Sequence, residues 1–128
     1  MKPLSEKQAL RKLAELKSGY QEFVRKNYEH RAKDCLTCPT QGACCVDAHF
    51  VNVHITRLEA AAVRESIAAE LSVEKQREIY DRAAETVEVY DLKAEAGDPF
   101  GQTFACPLFE KGVGCLVHRQ AKPAPCIQ

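Results

Sequence analysis

Long apolar runs and net charge are both missing from this sequence. No stretch of the 128 residues approaches the roughly 20 consecutive apolar positions of a transmembrane helix, so no membrane association is expected. The 18 Lys plus Arg offset the 18 Asp plus Glu, leaving no global field to draw the chain towards a polyanion, and no nucleic-acid partner is expected. The opening Met1-Lys2-Pro3-Leu4-Ser5-Glu6-Lys7 carries charges where a secretory signal needs an apolar segment, which points to the cytoplasm. Also absent are internal repeats, a phosphate-cradling glycine loop, a nucleophile elbow, a zinc-protease helix and a paired-carboxylate signature. No catalytic residue can be assigned, and any enzymatic activity would have to run through a metal or through thiols.

What is present suits a single domain over residues 1–128, α-rich with short irregular β segments. Ser5 and Gln8 form a capping box that opens an amphipathic helix over 5–32, with Leu10, Leu13, Tyr20, Phe23, Val24 and Tyr28 on its apolar side. Residues 34–47 form a cysteine loop, and Ala48 to Ile55 suit a short strand. The helical middle spans 56–96. Thr56 with Glu59 caps a helix to about Leu71, with a stripe of Ala62, Val63, Ile67 and Leu71, and Ser72 restarts the count. The next helix runs from Val73 to about Ala96 with Tyr80, Ala83, Val87 and Tyr90 on one face, and Gly97-Asp98-Pro99 stops it. Beyond it, 102–105 and 116–118 are possible strand fragments around Gly112 and Gly114. The aromatics at helical spacing, Tyr20, Phe23, Tyr28, Tyr80 and Tyr90, are read as core.

The sequence has seven cysteines, Cys35, Cys38, Cys44, Cys45, Cys106, Cys115 and Cys126. Disulfides rarely persist in a reducing compartment, so metal or redox chemistry is the natural account of them. Cys35-Leu36-Thr37-Cys38 is a C-x2-C pair of the kind that places two thiolates on one soft tetrahedral centre. Cys44 and Cys45 are adjacent, and successive side chains in extended backbone point to opposite faces, so one of them is expected to do something other than ligate the same ion. Cys106, Cys115 and Cys126 lie in a tail punctuated by Gly and Pro, between residues 106–126, where ligation explains them better than core burial. All seven are candidate metal ligands, for zinc or an iron-sulfur cluster, with a lean to zinc in protein handled in air. His118 is near enough to Cys115 to ligate, but packing or hydrogen bonding is the preferred reading. His49 and His54, five apart, face opposite sides of the expected strand, and His30 is read as surface.

These two blocks, Cys35-Leu-Thr-Cys38 through Gly42-Ala-Cys44-Cys45 and Cys106-Pro107 through Gly114-Cys115 to Pro125-Cys126, resemble the YkgJ-like cysteine-cluster family, a zinc- or iron-chelating domain with a CxxCxxCC-type signature. The resemblance implies a metal-binding module of unassigned biological role, clasped by thiolates from both blocks. Two other readings stand beside it: an iron-sulfur redox or protein-modification enzyme, and an interaction module shaped by its metal. Substrate, protein partner and oligomeric state are open at this stage.

Overall fold

The computed structural model describes residues 3–28, 39, 54–93 and 104–127. Among them are three α-helices, a two-stranded antiparallel hairpin and one turn of 3-10 helix: α1 (Glu6–Tyr28), α2 (Arg57–Glu70), α3 (Val73–Val89), β1 (Phe109–Glu110), β2 (Gly114–Cys115) and Ala124–Cys126. The mainly helical expectation with short β segments holds. None of these helices is long and apolar enough to cross a membrane.

The helix starts lie where the side chains dictate them. Ser5 Oγ accepts from the Gln8 amide at 3.4 Å while Gln8 Oε1 accepts from the Ser5 amide at 3.0 Å, closing the first capping box. Thr56 and Glu59 close the second at 3.2 and 3.0 Å, and Ser72 caps α3 by accepting from Lys75 N at 3.3 Å. Each satisfies amides that would otherwise lack a partner in the first turn.

The helix ends differ from expectation. Residues 29–32 and 94–96 lie outside the described residues, but α3 already stops at Val89, ahead of Gly97. Asp91 takes the left-handed conformation at φ 48°. Leu92 N donates to Val87 O at 3.0 Å and Asp91 N to Glu88 O at 3.2 Å, the bond pair of a Schellman cap. Glycine usually fills that position, and aspartate is among the few other residues that tolerate it. Asp91→Gly is therefore expected to raise stability by about 0.5–1 kcal/mol, read as a higher urea midpoint at unchanged m-value.

Most of the expected strand at 48–55 lies outside the described residues, and its last two, His54 and Ile55, are not in a strand. Residues 116–118 form a turn, and Phe104 and Ala105 are not extended ladder members. Pairing occurs instead in direct contact with the turn: Phe109 opposes Cys115 and Glu110 opposes Gly114, across a bend where Gly112 has φ 83° and Val113 N donates to Glu110 O at 3.1 Å. A tight turn with a positive-φ glycine fixes register in the residues that flank it, so strands displaced outward by several positions could not pair.

The core lies between α2, α3 and the tail. Val63 and Ile67 from α2, Ile79 from α3, and Val117 and Ala121 from the tail form its buried cluster, with Ala62, Leu71, Leu108 and Leu116 packed against it. The α2 stripe is the expected one. On α3 the buried residue is Ile79, whereas Tyr80, expected to face inward, is 48% exposed. Tyr20, Phe23 and Tyr28 on α1 are likewise about half exposed rather than core. A helix covered along one side needs only a narrow inward stripe: α1 packs against α2, its Leu10, Leu13 and Val24 are half-buried, and Lys17 is its one buried residue.

Candidate nucleic-acid interface

The tail segment 104–127 is held on the helices by polar contacts as well as by Val117 and Ala121. Glu59 Oε1 accepts from Ala124 N at 2.9 Å, Arg82 Nη1 donates to Phe109 O at 3.2 Å, and Lys75 Nζ bridges Glu78 at 2.7 Å and Glu110 at 3.1 Å. Lys17 lies close to Glu59 and Cys126: burial pushes its ammonium below the ordinary lysine range, and the charges of Glu59 and Cys126 oppose that shift.

The expected ligands divide into two groups. Cys35, Cys38, Cys44 and Cys45 lie outside the described residues, as do His30 and His49. Cys106 sits in the coil ahead of β1, Cys115 in β2 and Cys126 in the 3-10 turn; all three are half-buried, and His118 follows in the turn after β2. Among the described residues, His, Cys, Asp and Glu side chains form no group of three that could hold a metal ion.

Basic charge is distributed unevenly. Helix α1 carries six Lys and Arg against three Glu, whereas α3 carries Lys75, Arg77 and Arg82 against Glu74, Glu78, Asp81, Glu85 and Glu88. The neutral total hides a cationic helix and an anionic one. Lys12, Leu16, Gly19, Phe23 and Lys26 recur along α1 at alternating spacings of four and three, which aligns them on one face. All five are exposed, Leu16 at 71% and Phe23 at 51%. Glycine inside a helix costs about 1 kcal/mol relative to alanine, and a Cβ at Gly19 would meet nothing within 4 Å. The fold of the single chain therefore gives no reason for a glycine there. Arg25 and Lys26 both reach Glu22, at 2.6 and 3.1 Å, and hold its carboxyl below the usual range. Sequence reading passed over this face because the charge was summed over the whole chain and the aromatics were assigned to the core; charge counted helix by helix would have shown α1 to be cationic.

The sequence profile of a transposase DDE domain matches residues 5–92, a stretch that contains all three helices and the first cysteine block and ends before the second. Neither a curated protein nor a solved structure matches significantly. The match overturns the resemblance to YkgJ-like proteins, and with it the reading of the chain as a cysteine-cluster metal-binding protein. Closely spaced cysteines are a local feature of a few positions, whereas the profile extends through the whole helical stretch, where no short motif stands out.

DDE transposase domains use divalent metal ions, which sit among converging oxygen donors. Among the described residues no three carboxylates converge as such a centre requires, and several are engaged elsewhere. Glu6 faces Arg64 at 3.6 Å, Glu15 faces Arg11 at 3.9 Å, Glu22 is shared by Arg25 and Lys26, Glu70 accepts from Ser66 at 3.1 Å and Glu78 pairs with Lys75. Glu59 is committed to Thr56 and Ala124. Glu29, Asp34 and Asp47 of the matched stretch lie outside the described residues.

Proposed function

Because the chain belongs to the transposase DDE-domain family, we propose that it acts as a DNA-contacting helical segment of transposase type, with α1 as the contacting element and with no complete carboxylate centre among its helices. The family match over 5–92 carries this reading, and domains of this family typically bind DNA. The uneven charge of the helices supports α1 as the place: five of its six cations, all but Lys17, are exposed, and a phosphate backbone draws most of its binding free energy from such groups through release of condensed counterions. Phe23 and Leu16 supply apolar contact beside Lys12 and Lys26, and Gly19 lets a strand approach the helix backbone closely. A neutral chain can bind DNA in this way, because screening limits the reach of charge to about 8–10 Å and the local face outweighs distant acids.

Fluorescence anisotropy with duplex DNA at several salt concentrations tests the proposal. The wild-type chain is expected to bind at low salt and to weaken steeply as salt rises. Lys12→Glu with Lys26→Glu is expected to lower affinity at least about tenfold and to reduce the magnitude of the log–log salt slope by about 2, one contact each. Both side chains are exposed, so a circular dichroism spectrum unchanged from wild type is expected to accompany the loss. Equal binding by the variant would remove α1 from the interface, and no binding by wild type at low salt would end the DNA reading.

A further inference from the structure

Helix α3 and the segment leading into β1 enclose a cleft of about 320 Å³ on a different element from the cationic face of α1, a size at the lower end of small-molecule sites. Arg82 forms part of its wall. Its Nη1 is committed to the Phe109 carbonyl at 3.2 Å, and its backbone carbonyl accepts from Thr86 Oγ1 at 2.7 Å. Its Nε and Nη2 are buried and have no hydrogen-bond partner among the described residues. Those two N–H groups lie on one edge of the guanidinium plane, the edge that grips a carboxylate or phosphate through two parallel bonds. Burying two donors of a cation without an acceptor is unfavourable, and an oxyanion supplies what they lack. Arg82 is one of the residues that line the cleft, and because its two unpartnered donors are buried, an oxyanion reaches them only if a neighbouring side chain moves aside.

The rest of the lining suits a flat apolar body. Tyr90 and Phe104 stand with ring centroids 5.3 Å apart and planes inclined at 41°, and Pro107 and Phe109 continue the apolar wall. Offset and tilted aromatic surfaces of this kind receive a planar ring. Glu85 lies at the exposed rim and opposes a ligand of high negative charge. We infer that this cleft is a binding site for a small molecule made of one planar ring and one oxyanion, with Arg82 taking the oxyanion and Tyr90 and Phe104 taking the ring. An aromatic carboxylate and a nucleoside 5′-monophosphate share that chemistry. The inference is independent of DNA binding by α1.

The experiment is a titration of the ¹⁵N-labelled full chain, following the Arg82 Nε–H resonance identified with Arg82→Lys. Three probes are used: benzoate, adenosine 5′-monophosphate and inorganic phosphate. One of the two ring-bearing anions is expected to shift the Arg82 signal saturably, at concentrations at least about tenfold below those inorganic phosphate requires, the ring contributing the difference. Whichever of the two binds more tightly identifies the source. Phe104→Ala is expected to weaken that binding with the amide spectrum of the helices preserved, and Glu85→Gln to strengthen it. No shift with either ring-bearing anion, or a shift by inorganic phosphate at the same concentration as both, would overturn the site.

Discussion

Ile79→Ala is expected to lower the free energy of unfolding by about 2–5 kcal/mol, the range for truncating a buried branched side chain. Ile79 is 2% exposed and belongs to the cluster that joins Val63 and Ile67 of α2 to Val117 and Ala121 of the tail. Its truncation removes transfer free energy and leaves a void among the side chains of this cluster. A domain of this size is stable by only about 5–15 kcal/mol, so the loss is a large fraction of the total. Tyr80→Ala, one residue on and 48% exposed, is expected to stay within about 0.5 kcal/mol of wild type. Urea denaturation of both variants decides the matter: a Tyr80 variant weaker than the Ile79 variant would restore the inward face of Tyr80, Ala83, Val87 and Tyr90.

Glu59→Ala carries the second large effect, about 2–3 kcal/mol, because it strips acceptors from three donors at once. The carboxylate accepts from Thr56 N at 3.0 Å, Thr56 Oγ1 at 3.1 Å and Ala124 N at 2.9 Å, tying the start of α2 to the last turn of the chain. Burial works against the charged form, but the Ala124 and Thr56 hydrogen bonds and the nearby Lys17 ammonium outweigh it and hold the carboxyl below its ordinary range. The unfolded chain then binds a proton more readily than the folded one. The stabilisation from this group is thus fully present above an unfolded glutamate pKa of about 4.3 and is lost as pH falls through the lower folded value. Unfolding curves at neutral pH and at a series of acid pH values are expected to show wild type losing more stability on acidification than Glu59→Gln, whose amide does not titrate. Parallel pH profiles would show that Glu59 is no acid-sensitive latch.

The helix starts were legible in the sequence because a capping box is a local device: Ser5 with Gln8, and Thr56 with Glu59, require only side chains three residues apart and the amides between them. The α2 stripe of Ala62, Val63, Ile67 and Leu71 was legible for a related reason, since a helix with neighbours along one side repeats its apolar residues at the helical period. The inward face of α3 was legible only in part: Ala83, Val87 and Tyr90 of the expected stripe are half-buried, but Tyr80 is exposed and Ile79 is the residue in the core. Ile79 and Tyr80 are consecutive apolar residues about 100° apart on a helix, and periodicity cannot say which the neighbouring elements cover. The candidate interface was hidden in the same manner: Lys12, Leu16, Gly19, Phe23 and Lys26 form a regular stripe in the sequence, but only the position of α2 against another side of α1 leaves that stripe in solvent.

By itself, then, the sequence determined the mainly helical class and the capped starts of the three helices, because each depends on interactions within a few residues. Its cysteine spacing also suggested a family and a metal chemistry that the match over 5–92 does not sustain. Tertiary structure alone decided that Ile79 rather than Tyr80 is buried and that Glu59 reaches Ala124 across the fold. It also decided that Arg82, a residue of the cleft wall, keeps two buried donors without a partner among the described residues. Those outcomes depend on which elements come to lie beside one another, and contacts between residues distant in sequence leave no local pattern from which to read them.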